Sequence, residues 1–158
     1  MSAENPVNFR GIIPHLVCSP AADLIAFCKQ AFDAEELMRL PAPDGERLMH
    51  ACLKIDAQFV FIADEFEEYC DGASRSPKVL GSTTVTLHRN VDDCDAAFQR
   101  AVDAGAEVRM PPTDMFWGDR YAVVIDPCGH CWSFGTHLKD MSPEEINQAM
   151  VDAFQQGS

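Results

Sequence analysis

The sequence of 158 residues contains no uninterrupted apolar run of the roughly 18 residues that a membrane-spanning helix requires. Residues 1–10 also lack the basic patch and apolar core of a signal peptide. Basic residues are few, since 12 Lys and Arg stand against 25 Asp and Glu, and the net charge is −13. Nucleic acid and anionic membranes repel such a chain. We therefore expect a cytoplasmic protein that binds neither.

Several common catalytic motifs are missing as well. The chain has no phosphate-binding loop, no nucleophile elbow and no dinucleotide-binding glycine fingerprint. Nucleotide-dependent and acyl-transfer chemistry of the usual kinds is thereby excluded. Apolar residues make up 47% and charged residues 23% of the chain, which is typical of a globular domain.

The seven cysteines are odd in number and mostly have apolar neighbours, which predicts buried, reduced thiols. Cys128-Gly129-His130-Cys131 spells C-x-x-C. Redox chemistry at such a motif needs the first cysteine at a helix N-terminus, whereas Asp126-Pro127 places this one in a turn. A redox pair and a zinc site are the alternatives, but we interpret the spacing as fortuitous.

The element order predicts a duplicated module. A strand, a helix and three strands are predicted over residues 11–64, and the same series over 82–138, with a polar linker at 65–81. Ala26-Phe27 recurs as Ala97-Phe98, 71 residues later. Two βαβββ modules in one pseudo-symmetric α+β domain are therefore predicted. Ser19-Pro20 predicts the start of the first helix, and Ser142-Pro143-Glu144-Glu145 is a capping box for a last helix over about 143–154.

The segment from Asp114 to Tyr121 is the first candidate for ligand contact. It places aromatic and charged groups ahead of a predicted hairpin that does not need them to fold. Strand alternation sends Trp117, Asp119 and Tyr121 to one face and Arg120 to the other. The alternative is a structural aromatic cluster with an Asp–Arg ion pair.

His15 and His88 occupy similar positions on the first strands of the two modules. Pseudo-symmetry brings both toward one cavity, where they serve as metal ligands or as acid–base groups. The alternative is two strand histidines that are hydrogen-bonded to neighbouring groups.

The chain resembles the vicinal oxygen chelate superfamily of glyoxalase I, bleomycin-resistance proteins and extradiol dioxygenases. The resemblance lies in the paired modules, in Phe27…Phe32-Asp33-Ala34-Glu35 and in the Asp126-Pro127-x-Gly129 turn. Met49-His50, Asp64-Glu65, the run from Pro111 to Tyr121 and Thr136-His137 resemble its PhnB-like branch. The resemblance covers about residues 11–150 and implies a cupped, incomplete barrel around a cavity, and a homodimer.

In metal-dependent relatives, four inward residues on the first and last strands of the modules bind a divalent ion. Carried over by motif, these positions fall near Ile13, Phe61, Thr86 and Ser133. Ile and Phe do not bind cations, and neutral Thr and Ser bind transition metals poorly. We expect no cofactor. A displaced site at His15, His88 and His137 is the alternative, because even shifts along a strand keep the same face.

The sequence therefore predicts a small-molecule cavity between the modules. Its predicted lining is His15, His50, His88, Trp117, Asp119, Arg120 and Tyr121. Arg120 is expected to bind a carboxylate or phosphonate oxygen, and Trp117 and Tyr121 to stack on a planar group. Two functions remain open: a non-catalytic binding protein, or an isomerase, lyase or dioxygenase that uses a displaced metal site or no metal.

Overall fold

A computed structural model describes residues 9–156, and it contains the two predicted βαβββ modules. The first module consists of β1 (His15–Val17), α1 (Ala21–Phe32), β2 (Glu35–Pro41), β3 (Leu48–Ile55) and β4 (Gln58–Ala63). The second consists of β5 (Thr86–Asn90), α3 (Cys94–Asp103), β6 (Glu107–Asp114), β7 (Asp119–Ile125) and β8 (Cys131–His137). The prediction about a signal peptide concerns residues that lie mostly outside the described part of the chain.

Each module forms one four-stranded sheet with the same topology. The strand orders are β1-β4-β3-β2 and β5-β8-β7-β6, with the first strand parallel to the last and the other pairs antiparallel. No strand pairs across the two sheets within residues 9–156, so there is no closed barrel. The predicted α+β architecture is confirmed.

The core lies on the helix-covered faces of the two sheets. Helices α1 and α3 contact each other, and Phe32 at the end of α1 packs on Trp132 and Phe134 of β8, with ring centroids 4.7 and 6.1 Å apart. Leu24, Leu53 and Phe134 are fully buried there. The two modules therefore share one continuous hydrophobic core.

The first helix is capped by a residue that is distant in sequence. The expected cap was Ser19, but α1 begins at Ala21 and Ser19 Oγ instead accepts a hydrogen bond from the backbone N–H of Glu65. The buried carboxylate of Asp64 accepts from Ala21 N at 2.9 Å and from Leu48 N at 2.6 Å. This carboxylate satisfies a free N–H at the helix start and ties α1 to the end of β4.

The expectation that all cysteines are reduced is wrong for one pair. Cys18, just after β1, forms a disulfide with Cys128 in the β7–β8 turn, with their Cα atoms 5.6 Å apart. The other five cysteines are free, including Cys131 of the C-x-x-C motif. Packing of the modules brings together two residues that are 110 positions apart, a pairing that spacing along the chain does not reveal.

The predicted linker is partly ordered by secondary structure. It contains a 3₁₀ turn at Glu67–Tyr69 and the short helix α2 (Pro77–Leu80). The backbone of α2 lies against the β7–β8 turn. The approach is so close that a Cβ added at Gly129 would come within 3.0 Å of Lys78 N. The linker therefore contacts the second module as well as joining the two.

The last helix, α4 (Pro143–Gln156), carries the predicted capping box. Ser142 Oγ accepts from Glu145 N at 3.2 Å, and Glu145 Oε2 accepts from Ser142 N at 2.7 Å. No other helix or strand of residues 9–156 packs extensively against α4. None of the helices in this part of the chain is long and apolar enough to cross a membrane.

Candidate functional site

A cavity of about 580 Å³ lies between the two modules, and we call it the inter-module cavity. It opens between β1 and the segment that leads into β5. Its walls are mostly aliphatic, with three side chains that carry nitrogen donors, and they comprise Ile12, Pro14, His15, Leu16, Val17, Arg75, Pro77, Thr83, Val85, Leu87 and His130. An apolar cavity with a few polar groups is the usual form of a small-molecule site.

A second cavity of about 220 Å³, the loop cavity, adjoins the first. It lies between β1 and the loop that follows β4, and Met49, Phe66 and Tyr69 are among its lining residues. His15, Val17 and Arg75 line both cavities. These three residues therefore mark the point at which a ligand could reach from one cavity into the other.

The loop over these cavities is held in place by a carboxylate. Glu65 accepts hydrogen bonds from the backbone N–H groups of Arg75 and Ser76 at 2.9 and 3.0 Å, and from the hydroxyls of Ser74 and Ser76. Partial burial raises the pKa of Glu65, but these hydrogen bonds outweigh it and the pKa is lowered. The carboxylate therefore stays ionised and keeps the loop closed on itself.

Arg47 supports the same loop from the side. Its guanidinium lies 4.2 Å from the ring centroid of Phe66 and donates to Glu68 at 2.7 Å and to the Glu65 carbonyl at 3.2 Å. The cation–π contact orients the Phe66 ring, which lines the loop cavity.

His15 belongs to an aromatic group on the open face of the first sheet. Its ring lies 6.0 Å from that of His50 and 6.2 Å from that of Phe61, and Phe61 also contacts Phe9 at 5.3 Å. Burial lowers the pKa of His15 below its ordinary 6.5, and the neighbouring His50 and Arg75 lower it further. His15 is therefore a neutral imidazole at pH 7, able to donate or accept a hydrogen bond.

His88 occupies the corresponding place on the second sheet. Its Nδ1 lies 2.8 Å from Ser133 Oγ, its Nε2 3.2 Å from Asn90 Oδ1, and its ring stacks on Tyr121 with centroids 5.9 Å apart. The ring lies over Gly135, where an added Cβ would come within 2.9 Å of it. His88 is thus hydrogen-bonded on both nitrogens, as the structural alternative predicts.

Trp117 and Asp119 connect the stacked rings of His88 and Tyr121 to His137. Trp117 Nε1 donates to Asp119 at 3.1 Å, and its ring lies 5.7 Å from that of Tyr121. His137 contacts Asp119 at 3.0 Å and Asp140 at 2.9 Å. Hydrogen bonds to these two carboxylates, the larger effect coming from Asp119, raise the pKa of His137 above its ordinary 6.5.

Arg120 lies on the opposite face of the second sheet, as strand alternation predicts. Its guanidinium pairs with Asp95 at the start of α3 and donates to Asp114 at 2.7 Å. These carboxylates raise the pKa of Arg120 and use its donors. The structure thus places Arg120 in an ion pair between helix and sheet, away from both cavities.

The metal-ligand positions expected from the resemblance lie near Ile13, Phe61, Thr86 and Ser133. In the strand register, Phe61 pairs with His15 and Ser133 pairs with His88. Each histidine faces a residue that is a poor transition-metal ligand, where a carboxylate would be needed. In residues 9–156 no three His, Cys, Asp or Glu side chains are grouped closely enough to hold a metal ion. The three histidines of the displaced site contact different residues: His15 contacts His50 and Phe61, His88 contacts Ser133 and Asn90, and His137 contacts Asp119 and Asp140.

The seven predicted site residues therefore do not share one cavity. His15 alone lines the two cavities; His50 neighbours it, and His88, Trp117, Asp119 and Tyr121 form a separate group. Sequence reasoning missed Arg75, which was assigned to the linker, and His130, which was considered only as part of the C-x-x-C motif. A charged residue within a polar loop gives no periodic signal, and only the folded loop shows where Arg75 lies.

Comparison with known proteins agrees with the fold and the module order. The sequence profile of the Glyoxalase/Bleomycin resistance protein/Dioxygenase superfamily matches residues 16–134. The uncharacterized proteins Mb0911c of Mycobacterium bovis and Rv0887c of Mycobacterium tuberculosis are each 49% identical over 137 residues, covering 87% of this chain and 90% and 80% of theirs.

Solved structures show the same architecture. TioX from Micromonospora sp. ML1 is 27% identical with a TM-score of 0.63, covering 82% of this chain and 100% of its own. The fosfomycin resistance protein FosX from Listeria monocytogenes is 17% identical with a TM-score of 0.59, covering 88% of this chain and 99% of its own. At that identity the second comparison supports the fold alone.

Proposed function

The chain belongs to the glyoxalase/bleomycin resistance protein/dioxygenase superfamily, and we propose that within it this protein binds a small organic molecule in the inter-module cavity without a metal ion. The observation that carries the proposal is the pairing of His15 with Phe61 and of His88 with Ser133. Two histidines without acidic partners form an incomplete metal site, whereas the cavity beside His15 has the walls of a ligand site.

The inter-module cavity supports binding by its shape and its lining. Its volume of about 580 Å³ is within the usual range of small-molecule sites. Val17, Val85 and Leu87 offer apolar contact, while His15 and His130 offer imidazole nitrogens. His130 is buried, and its Nδ1 makes no hydrogen bond although Asp126 Oδ2 lies 3.3 Å away.

Non-catalytic binding is the form of the proposal that these residues favour. His88 and His137 already have hydrogen-bond partners on both nitrogens. A sequestering protein needs only the cavity, and the family description includes resistance proteins. An isomerase, lyase or dioxygenase that uses a displaced histidine site is the competing function, and metal retention distinguishes the two.

We also assign the chain to the PhnB-like branch and expect it to be a cytoplasmic homodimer. The branch assignment rests on the run Trp117-Gly118-Asp119-Arg120-Tyr121.

The dimer is supported by α4, on which Met150 and Val151 are 37% and 39% exposed and against which no other helix or strand of residues 9–156 packs extensively. Light scattering should give a mass of about twice 17.5 kDa.

Titration with the fluorescent apolar probe N-phenyl-1-naphthylamine tests the binding proposal. Val85→Trp narrows the inter-module cavity from a position that is 59% exposed, and Ala73→Trp narrows the loop cavity from the surface. We expect one or both variants to weaken probe binding by about tenfold, while Ala26→Trp on the exposed face of α1 leaves it unchanged. Equal binding by all four proteins would refute the proposal.

A further inference from the structure

Arg75 differs from most arginines of this protein in the environment of its guanidinium. Ion pairs with carboxylates within residues 9–156 include those of Arg39, Arg47, Arg89, Arg100 and Arg120. The Arg75 backbone N–H binds Glu65, but within residues 9–156 its side chain makes no ion pair and no hydrogen bond. In a chain with a net charge of −13, a cationic side chain without a carboxylate partner is unexpected.

Hydrogen bonds fix the backbone of Arg75, although its guanidinium forms no ion pair with another described residue. Glu65 binds the backbone on both sides of the side chain, through the N–H groups of Arg75 and Ser76. The neighbouring Ser76 and Pro77 are buried. The loop therefore fixes the backbone of Arg75 at the rim of the cavities, from which its long side chain reaches a ligand in either one.

The surroundings of Arg75 combine one positive charge with apolar walls. Arg75 and His15 both line the two cavities, and the charge of Arg75 contributes to the lowered pKa of His15. Phe66, Tyr69 and Met49 line one side, and Val85 and Leu87 the other. Among the described residues, no acidic side chain lines the inter-module cavity, and the two that line the loop cavity, Asp64 and Glu65, already accept hydrogen bonds from backbone N–H groups.

We propose that Arg75 is the anion-binding residue of the ligand site, and that the ligand is an amphipathic organic acid. Its carboxylate, sulfonate or phosphonate group is held by the Arg75 guanidinium beside His15, and its aromatic or branched aliphatic body fills the adjoining cavities. This inference rests on the proposed ligand cavity and adds the chemical class of the ligand. Arginine suits such a group because its planar fork donates two parallel hydrogen bonds.

Other cationic surfaces of the chain fit this ligand less well. Arg89 and Arg100 line a cavity between the helices, but Asp56 and Asp33 already bind them. Arg109 lines a surface cavity beside β5 and makes no ion pair with another described residue, but that cavity is lined by Glu107 and, within residues 9–156, by no aromatic side chain. Arg109 is therefore a matched control, an exposed arginine at a cavity whose lining is more polar than apolar.

Two dyes that differ in one anionic group test the proposal. Anilinonaphthalene sulfonate carries a sulfonate, and N-phenyl-1-naphthylamine has a similar aromatic body without it. We expect Arg75→Gln to weaken binding of the sulfonate by about tenfold and to leave the neutral dye unchanged. Arg109→Gln should change neither, and Arg75→Lys should retain part of the sulfonate affinity. Thermal unfolding should be unchanged in all three variants, because neither side chain forms a contact that the fold needs.

The other outcomes separate the two proposals. If the wild-type protein binds both dyes and Arg75→Gln affects neither, the anion site is wrong while the cavity stands. A variant that weakens both dyes equally shows that Arg75 shapes the cavity without binding the anion, which also overturns the inference. If neither dye binds, or if Val85→Trp and Ala73→Trp have no effect, the cavity proposal fails and the anion site fails with it.

Discussion

Ser133 Oγ lies 2.8 Å from His88 Nδ1, across the pairing of β8 with β5. The hydroxyl is fully buried and the imidazole stacks on Tyr121, so the pair forms a closed hydrogen-bonded unit. On the first sheet, His15 faces the ring of Phe61 instead. Neither histidine therefore has an acidic residue as its partner on the neighbouring strand.

The first prediction is that the protein does not retain divalent metal. After incubation with Ni, Zn, Mn or Fe(II) and desalting, elemental analysis should find well below one equivalent per chain, because two imidazoles without a third ligand bind these ions weakly. Near-stoichiometric metal that is lost in both His15→Ala and His88→Ala would contradict this. Glyoxalase and dioxygenase assays would then be the next step.

The second prediction concerns Arg120. Arg120→Gln removes the ion pairs with Asp95 and Asp114 and should lower the melting temperature modestly, since exposed pairs contribute little. It should not change dye binding, because the side chain lies on the helix-covered face of the second sheet. Parallel thermal and fluorescence titrations make the comparison. Loss of dye affinity with unchanged stability would contradict this prediction and indicate that Arg120 contacts the ligand.

Arg120 and Arg75 show what the sequence could and could not determine. Period-2 alternation correctly separated Arg120 from Trp117, Asp119 and Tyr121, and the apolar run at 58–63 predicted β4 with its observed bounds. The sequence nevertheless predicts that Arg120 binds the anion, because its acidic partner Asp95 is 25 positions away and local patterns do not reveal the ion pair. Arg75 lies in a loop whose conformation depends on Glu65, and no local pattern encodes that.

Contacts between residues that are distant in sequence account for the other differences between the predicted and the observed structure. Asp64 caps α1 from 43 residues away, and Cys18 and Cys128 meet only when the modules pack. The capping box at Ser142 was predictable because both of its partners lie within one helical turn. Local hydrogen bonds and periodicity can be derived from the sequence, whereas contacts between modules require the folded chain.

The third prediction is that the disulfide stabilises the packing of the modules. Cys18→Ser should lower the free energy of unfolding by about 2–4 kcal/mol, because a long loop is no longer closed in the unfolded chain. Urea unfolding under non-reducing conditions measures the change, and Cys70→Ser, at a free and partly exposed cysteine, is the control. Peptide mapping that finds Cys18 and Cys128 as free thiols in oxidised protein would refute the pairing.

The fourth prediction concerns the protonation of His137 and His15. In an NMR titration, His137 should titrate above 6.5 and His15 below it. Because the pKa of His137 is raised by folding, its stabilising contribution is complete at pH below 6.5 and is lost as the pH rises through the raised pKa. Asp119→Asn should shift the His137 midpoint downward more than Asp140→Asn does. Equal midpoints for His15 and His137 would show that these contacts do not persist in solution.

The location of a bound ligand tests the central claim most directly. A crystal structure of the protein with anilinonaphthalene sulfonate should show the aromatic rings between β1 and the loop that carries Arg75, with the sulfonate within hydrogen-bonding distance of the Arg75 guanidinium. Rings seated instead on the open face of the second sheet, against His88 and Tyr121, would contradict the account and move the ligand site to the other module.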